Sequence, residues 1–420
     1  MNLKVNWKKL SISLFLIVLA FGTYSAYRVF SSPSGQISSI EGGGFCAGDF
    51  TVYNNTIDKL LYGQNCSTGV NDVAASTDLG ATVNTLFGEL AALHRAGSVY
   101  MRGGYFSEVT SIIMSNGTPC YNGAIVIQCS GFSLYGSGQG GTIPSSANAT
   151  MIVAKTSGMT MIKSTATPAS NAPSIWGTTL SNFQLVANNL ATTGINLQMS
   201  EAGGSHNRIE RITITEFQSQ QPNCVGGFTT GIIFDGSEDS VIDGVQISGD
   251  GQTGAGHCSA TVGIQWLDAN GNVNIQNTLS NAATDLVTQA QTVSLVSDTI
   301  SSIKINGLTR MVSIVNSYLC NTAPSALTRI KLNGQTVENL EITGSCVELD
   351  STVQNFYSGT GTVSVFSSNS CDWNFPSGTN VWNSGGATLT KQVTNGANHV
   401  HTNTNPATGF PFTVDGNGNF

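Results

Sequence analysis

Carboxylates are the residues with which this chain could do chemistry, and their positions repeat. The motif Gly-Ile-x-apolar occurs as Gly194-Ile-Asn-Leu197, Gly231-Ile-Ile-Phe234 and Gly263-Ile-Gln-Trp266. Glu201 and Glu238 each stand seven residues past their motif glycine, while Asp235 and Asp268 stand four and five past theirs. A second motif, apolar-x-x-apolar-x-apolar, holds Glu210 and Asp243 at its second position, in Ile209-Glu-Arg-Ile-Thr-Ile214 and Ile242-Asp-Gly-Val-Gln-Ile247. Acids stacked at a repeat spacing split their pKa values or bind a cation, with calcium the natural candidate. Two carboxylates about 5 Å apart suit a retaining glycosidase, and wider pairs an inverting one. Lyase chemistry instead needs a base such as Arg, Lys or His beside a cation that acidifies the proton α to a carboxylate. The nearest such residues are His206, Arg208 and Arg211. The catalytic candidates are therefore Glu201, Asp235, Glu238, Asp268, Arg208 and Arg211, with His206, Glu210 and Asp243 as substrate-binding candidates. Solvated turns carry acids as a matter of course, which is the competing explanation. Charged residues are 10% of this chain, so the cluster still stands out. His399-Val-His401 places two imidazoles on one strand face, but no third ligand accompanies them, so no metal site is assigned.

These residues need an element that brings repeats together. The six-residue motif begins at Leu180, Ile209, Ile242, Ile300 and Leu327, spaced by 29, 33, 58 and 27 residues, and returns at Val337. The interval of 58 reads as two periods of 29 with a degenerate copy near Val273–Ile275. Two strand motifs alternating at a period near 30 describe a β-solenoid, whose coils bury apolar faces only by stacking. A β-sandwich also has many short strands, but gives no reason for such a period. Stacking places equivalent residues about 4.8 Å apart. Trp266 then falls in the inward slot of Leu197 and Phe234, and Gln184, Thr213 and Gln246 form a structural polar column. Val83, Leu86, Phe87, Leu90 and Leu93 follow helical spacing, with Asp78 or Thr77 as N-cap. That helix suits the cap that an open solenoid end requires.

The chain has 420 residues, with 48 glycines and a formal charge of −8. Such charge excludes a nucleic-acid surface, which must neutralise phosphates. Hydrophobic content of 40% excludes a disordered chain. Lys4, Lys8 and Lys9 precede an uncharged segment from Leu10 to Tyr27, which reads as an export signal or a retained membrane anchor. All nine cysteines lie beyond it, consistent with an oxidising, extracytoplasmic location. Cys46/Cys66 and Cys120/Cys129 are candidate local disulfides, and the odd count leaves one thiol over. The expected organisation is a signal or anchor over 1–30, a Cys-bearing lead-in over 31–70, a β-helix over 71–375 and a Gly/Asn/Thr-rich tail over 376–420.

The helix, then Gly97-Ser-Val-Tyr-Met-Arg-Gly-Gly-Tyr-Phe106, then Phe132-Ser-Leu-Tyr-Gly-Ser-Gly-Gln-Gly-Gly-Thr-Ile143, resembles the opening of pectin lyase-like proteins. That superfamily includes pectate lyases, polygalacturonases and phage tailspikes. The resemblance implies an all-β fold, a right-handed single-stranded parallel β-helix with an N-terminal capping α-helix. It also implies contact with polysaccharide and allows a homo-oligomer. The aspartate-rich segment usual before the helix is replaced by Asn71-Asp72-Val-Ala-Ala-Ser-Thr-Asp78, and the polygalacturonase signatures are absent as a set. Two readings follow: an exported protein that binds and cleaves extracellular polysaccharide, as a lyase or glycoside hydrolase, or a non-catalytic adhesin, spike or envelope component. Membrane contact is expected only through the N-terminal segment.

Overall fold

In the computed structural model the backbone is described for residues 46–402, apart from 56–57, 94, 115–118, 123–124, 129–130, 140–148, 165–176, 199–203, 216–227, 236, 239, 250–258, 268–270, 301, 308, 320–327, 333–336, 349–354, 359–361, 369–372, 376–379, 384–387 and 394–399. At 74, 119–128, 198, 204–205, 235–238, 328–340, 342 and beyond 345, only the backbone is described. The expected signal or anchor lies outside these residues, as do Cys129 and the His399 half of the histidine pair.

The described strands wind into a three-sided parallel β-helix. One face is built from Phe50–Asn54, Ser98–Met101, Ser133–Gly136, the first halves of Thr179–Val186 and Arg208–Thr215, Val241–Asp243, Asn272–Gln276, Thr292–Val296 and Thr309–Val315. A second face begins with Gly104–Glu108 and Thr150–Ala154 and takes the second halves of the two long strands. The third runs from Ile112–Ile113 through Thr193–Gln198, Thr230–Asp235 and Val262–Trp266 to Asn380–Asn383. Parallel strands joined by crossovers take the right-handed sense. Antiparallel pairing of described strands is confined to the lead-in Phe50–Asn54, Leu61–Asn65 and Asn71–Ser76, and to the hairpin Pro119–Asn122/Ile125–Gln128.

Alternation along each strand sends every second side chain inward. On the first face Leu134, Leu180, Ile209, Ile242, Ile275, Leu295 and Ile314 stack in register, and all are buried. The motif glycines Gly194, Gly231 and Gly263 also form a row. A Cβ on Gly194 would lie 2.6 Å from the Gly231 carbonyl oxygen, and one on Gly231 would lie 2.7 Å from that of Gly263. Beside them Leu197, Phe234 and Trp266 stack inward, and the Phe234 and Trp266 ring centroids are 4.6 Å apart. The polar column Gln184, Thr213 and Gln246 is in register as expected.

The period is less regular than the motif count implies. Ile242 pairs with Ile275, Ile275 with Leu295 and Leu295 with Ile314, so coils of 33 residues give way to coils of 20 and 19. The copies at Ile300–Ile305 and Leu327–Leu332 pair with each other on the third face, through Ile303↔Ile330 and Ile305↔Leu332. The interval of 58 is therefore not two periods of one column. The ladders also continue through Asn380–Asn383, Thr388–Val393 and Val400–Thr402, beyond the boundary expected at residue 375.

Leu79–Ala92 is the capping helix. The Asp78 carboxylate accepts the Gly80 N–H at 3.1 Å and reaches across to the Val109 and Thr110 N–H groups. One side chain thus ends the helix and pins it to the first coil. Leu79, Val83, Leu86, Phe87 and Leu90 are buried, each contributing roughly 1.5–3 kcal/mol. Leu93 fits the helical spacing but sits at the C-cap and is 65% exposed. The lead-in is held by a Cys46–Cys66 disulfide.

The corner between the first and second faces is a column of left-handed residues: Asn182, Arg211, Gly244, Asn277, Ser297, Asn316 and Gly344. Asn and Gly tolerate this conformation, whereas a long side chain pays roughly 1–2 kcal/mol for it. Arg211, at φ 52°, is the outlier of the column.

Candidate functional site

Arg208, Glu210 and Asp243 point outward from the first face because their neighbours Ile209 and Ile242 belong to the core. Glu210 and Asp243 are direct ladder partners on adjacent coils, about 4.8 Å apart at the backbone. The Arg208 Nε donates to Glu210 Oε1, with the two side chains 53% and 19% exposed. A pair so open to water adds little stability. Asn277 Nδ2 donates to Asp243 Oδ1 at 2.9 Å. Both acids thus have one oriented partner, and their remaining lone pairs face outward.

What aims this group is a buried asparagine. Asn207 is fully buried, its Oδ1 accepts the Thr178 N–H at 3.0 Å, and its own N–H reaches Ser240 Oγ at 3.3 Å. It locks the entry to three successive coils and leaves its neighbours His206 and Arg208 exposed. His206 sits at φ 66°, a left-handed turn conformation for which His is enriched. Arg211 follows on the same strand, and its Cγ would lie 3.4 Å from a Cβ on Gly244, so the stem of Arg211 lies over that glycine.

The turns that carry the other acids leave the third face and enter the first. Asp235 ends the strand Thr230–Asp235 and pairs with Gln198. Glu238 lies in the short strand Ser237–Glu238, whose ladder partner is Gly204–Ser205, with Ser205 opposite Glu238. The turn after Gln198 is four residues longer than the turn after Asp235, so equal offset from the motif glycine does not make Glu201 the neighbour of Glu238. Glu201 and Asp268 lie outside the described residues, and only the backbone of Asp235 and Glu238 is described. Among the described residues no group of three His, Cys, Asp or Glu side chains could hold a metal ion.

Beyond Asp243 the same face opens into a cleft of about 340 Å³, lined by Ser240, Asn272, Val273, Asn274, Thr292 and Ser294. Asn272 pairs with Thr292 and Asn274 with Ser294, and the Thr292 hydroxyl donates to the Asn272 side chain. The amides and hydroxyls supply donors and acceptors without net charge. Sequence reasoning passed over these residues, although the alternation of Asn272, Asn274 and Gln276 with buried Val273 and Ile275 carried the signal.

No protein-family model and no curated protein matches this chain. Among solved structures it is similar to an alginate lyase from Paenibacillus sp. str. FPU-7, with 14% identity, a TM-score of 0.43 and coverage of 70% of this chain and 91% of that one. The A-module of a mannuronan C-5 epimerase from Azotobacter vinelandii gives 14% identity and a TM-score of 0.39, covering 77% and 96%. The ORF18 protein of Geobacillus virus E2 gives 14% and 0.37, covering 73% of this chain and 54% of that one. Likenesses this distant carry no argument about chemistry.

Proposed function

We propose that this chain is an exported β-helix protein that holds an extended polysaccharide against its first face. The observation that carries the reading is the outward strip in which Arg208, Glu210 and Asp243 run into the Asn272–Ser294 cleft. Carboxylate oxygens accept from sugar hydroxyls, guanidinium and amide N–H groups donate to them, and a solenoid presents such groups along a polymer's length. Export is supported by the basic and apolar segment ahead of residue 30 and by the Cys46–Cys66 bridge.

Glu210 and Asp243, one coil apart, also have the spacing of a retaining glycosidase pair. The corner bearing Asp235 and Glu238 supplies further acids for cleavage. One experiment separates binding from cleavage. The full chain is incubated with a panel of glycans, and retained glycan, reducing ends and ultraviolet-absorbing unsaturated ends are measured. Binding that weakens at least tenfold in Glu210→Gln and Arg208→Ala is expected. Product release abolished by Glu210→Gln or Glu238→Gln makes the protein an enzyme, while binding without product makes it an adhesin or structural component. Undiminished binding in both first-face variants would sink the assignment.

A further inference from the structure

The lead-in end of the first face carries four tyrosines on four neighbouring strands. Tyr62 and Tyr53 are ladder partners whose ring centroids lie 5.8 Å apart at 21°. The next strand brings the Arg102 guanidinium to 4.9 Å from the Tyr53 ring centroid. Tyr100 on that strand pairs with Tyr135 on the following one. All four rings are half-buried, and their strand neighbours Leu61, Val52, Val99, Met101 and Leu134 fill the core, so the tyrosines face outward. The chain has ten tyrosines, and four of them converge here from separate segments. A solvated sheet face ordinarily alternates core residues with polar ones. Rigid, amphipathic rings in a row are instead the composition of a contact surface.

We propose that these tyrosines form a stacking platform for an uncharged sugar chain, continuous with the site described above. The column from Tyr100 runs through Tyr135 and Ser181 to Glu210 and Asp243, one strand per step. Tyr135 and Glu210 are two steps apart, about 10 Å. A pyranose ring offers a C–H face to an aromatic ring and hydroxyls to the carboxylates farther along. The charge of the strip decides between neutral and acidic sugars. Glu210 and Asp243 outweigh Arg208, the adjoining turns add Asp235 and Glu238, and the whole chain carries −8. A polyuronate would meet net repulsion, whereas neutral hydroxyls find acceptors.

This inference rests on the first face being the glycan face, and the test separates the two. Long neutral oligosaccharides (glucan and mannan series) and uronate oligosaccharides are titrated against the full chain. The same titration is run on the Tyr100→Ala/Tyr135→Ala pair, the Tyr100→Phe/Tyr135→Phe pair and Glu210→Gln. A neutral series bound in preference to uronates is expected, with at least a tenfold loss in the alanine pair and recovery in the phenylalanine pair. Unchanged affinity in the alanine pair together with loss in Glu210→Gln overturns the platform and leaves the first-face reading standing. Loss in both tyrosine pairs overturns ring stacking, and preference for uronates overturns the neutral class. No binding by either series overturns the platform and the proposed function together.

Discussion

Among individual residues, the most consequential departures from ordinary behaviour are buried acids. Asp285 is satisfied: it accepts from the Ala282 and Ser302 N–H groups and from the Ser280 hydroxyl. Glu108 points into the solenoid beneath the cap with only the Ile112 N–H to accept, and burial holds its carboxyl well above the usual range. Asp298 is 1% exposed at the inner side of the left-handed corner, where its Oδ1 accepts the Thr278 N–H at 2.7 Å. Burial pushes its pKa from 3.8 to about 7, against the pull of its backbone hydrogen bonds and with help from Asp243. Between those values the native carboxyl keeps a proton that the unfolded chain has lost. Stability from this residue is therefore full below pH 3.8 and declines as pH rises through about 7. Asp298→Asn keeps the acceptor for Thr278 and removes the titration. Urea midpoints measured from pH 4.5 to 8 should fall less steeply with pH in the variant than in the parent. Parallel pH profiles would refute this account.

At the scale of elements, the seam between the capping helix and the first coil decides whether the solenoid end is sealed. Gly80 lies in the first turn of the helix, where a Cβ would sit 1.6 Å from the Thr110 carbonyl oxygen. Helix propensity favours Gly80→Ala by about 1 kcal/mol. The clash is with backbone that Asp78 holds in place, and steric overlap of that size outweighs the propensity gain. The variant should unfold at lower denaturant and bind a hydrophobic dye through the exposed Leu86, Phe87 and Phe132 layer. A midpoint that rises instead means the helix does not seat on Thr110. The helix itself was legible from Val83, Leu86, Phe87 and Leu90, because their period is local. The misplacement of Leu93 has an equally local cause: the helix stops at Ala92, one residue before it.

At the scale of the whole molecule, each coil contacts its immediate neighbours, so damage should stay near its origin. Gly231→Ala tests this, because the added Cβ would press on the Gly263 carbonyl in the next coil at 2.7 Å. Overpacking of this kind costs about 1–3 kcal/mol. Hydrogen exchange should speed up in Thr193–Gln198, Thr230–Asp235 and Val262–Trp266, while Phe50–Asn54 and Thr309–Val315 keep their protection. Uniform loss across the stack would show a single cooperative unit.

The amino-acid sequence by itself determined the glycine row, the inward stack ending in Trp266, the Cys46–Cys66 pair, the Asp78 cap and the pairing of Glu210 with Asp243. Each follows from alternation within a strand or from one repeat copied to the next. Tertiary structure alone decided which turn residues meet. Coil length varies from 33 to 19 residues, so an offset counted along the chain slips wherever a turn lengthens, and Ser205 comes to lie opposite Glu238. It also gathered Tyr53, Tyr62, Tyr100 and Tyr135, which share no motif, because ladder register rather than chain distance sets their neighbours.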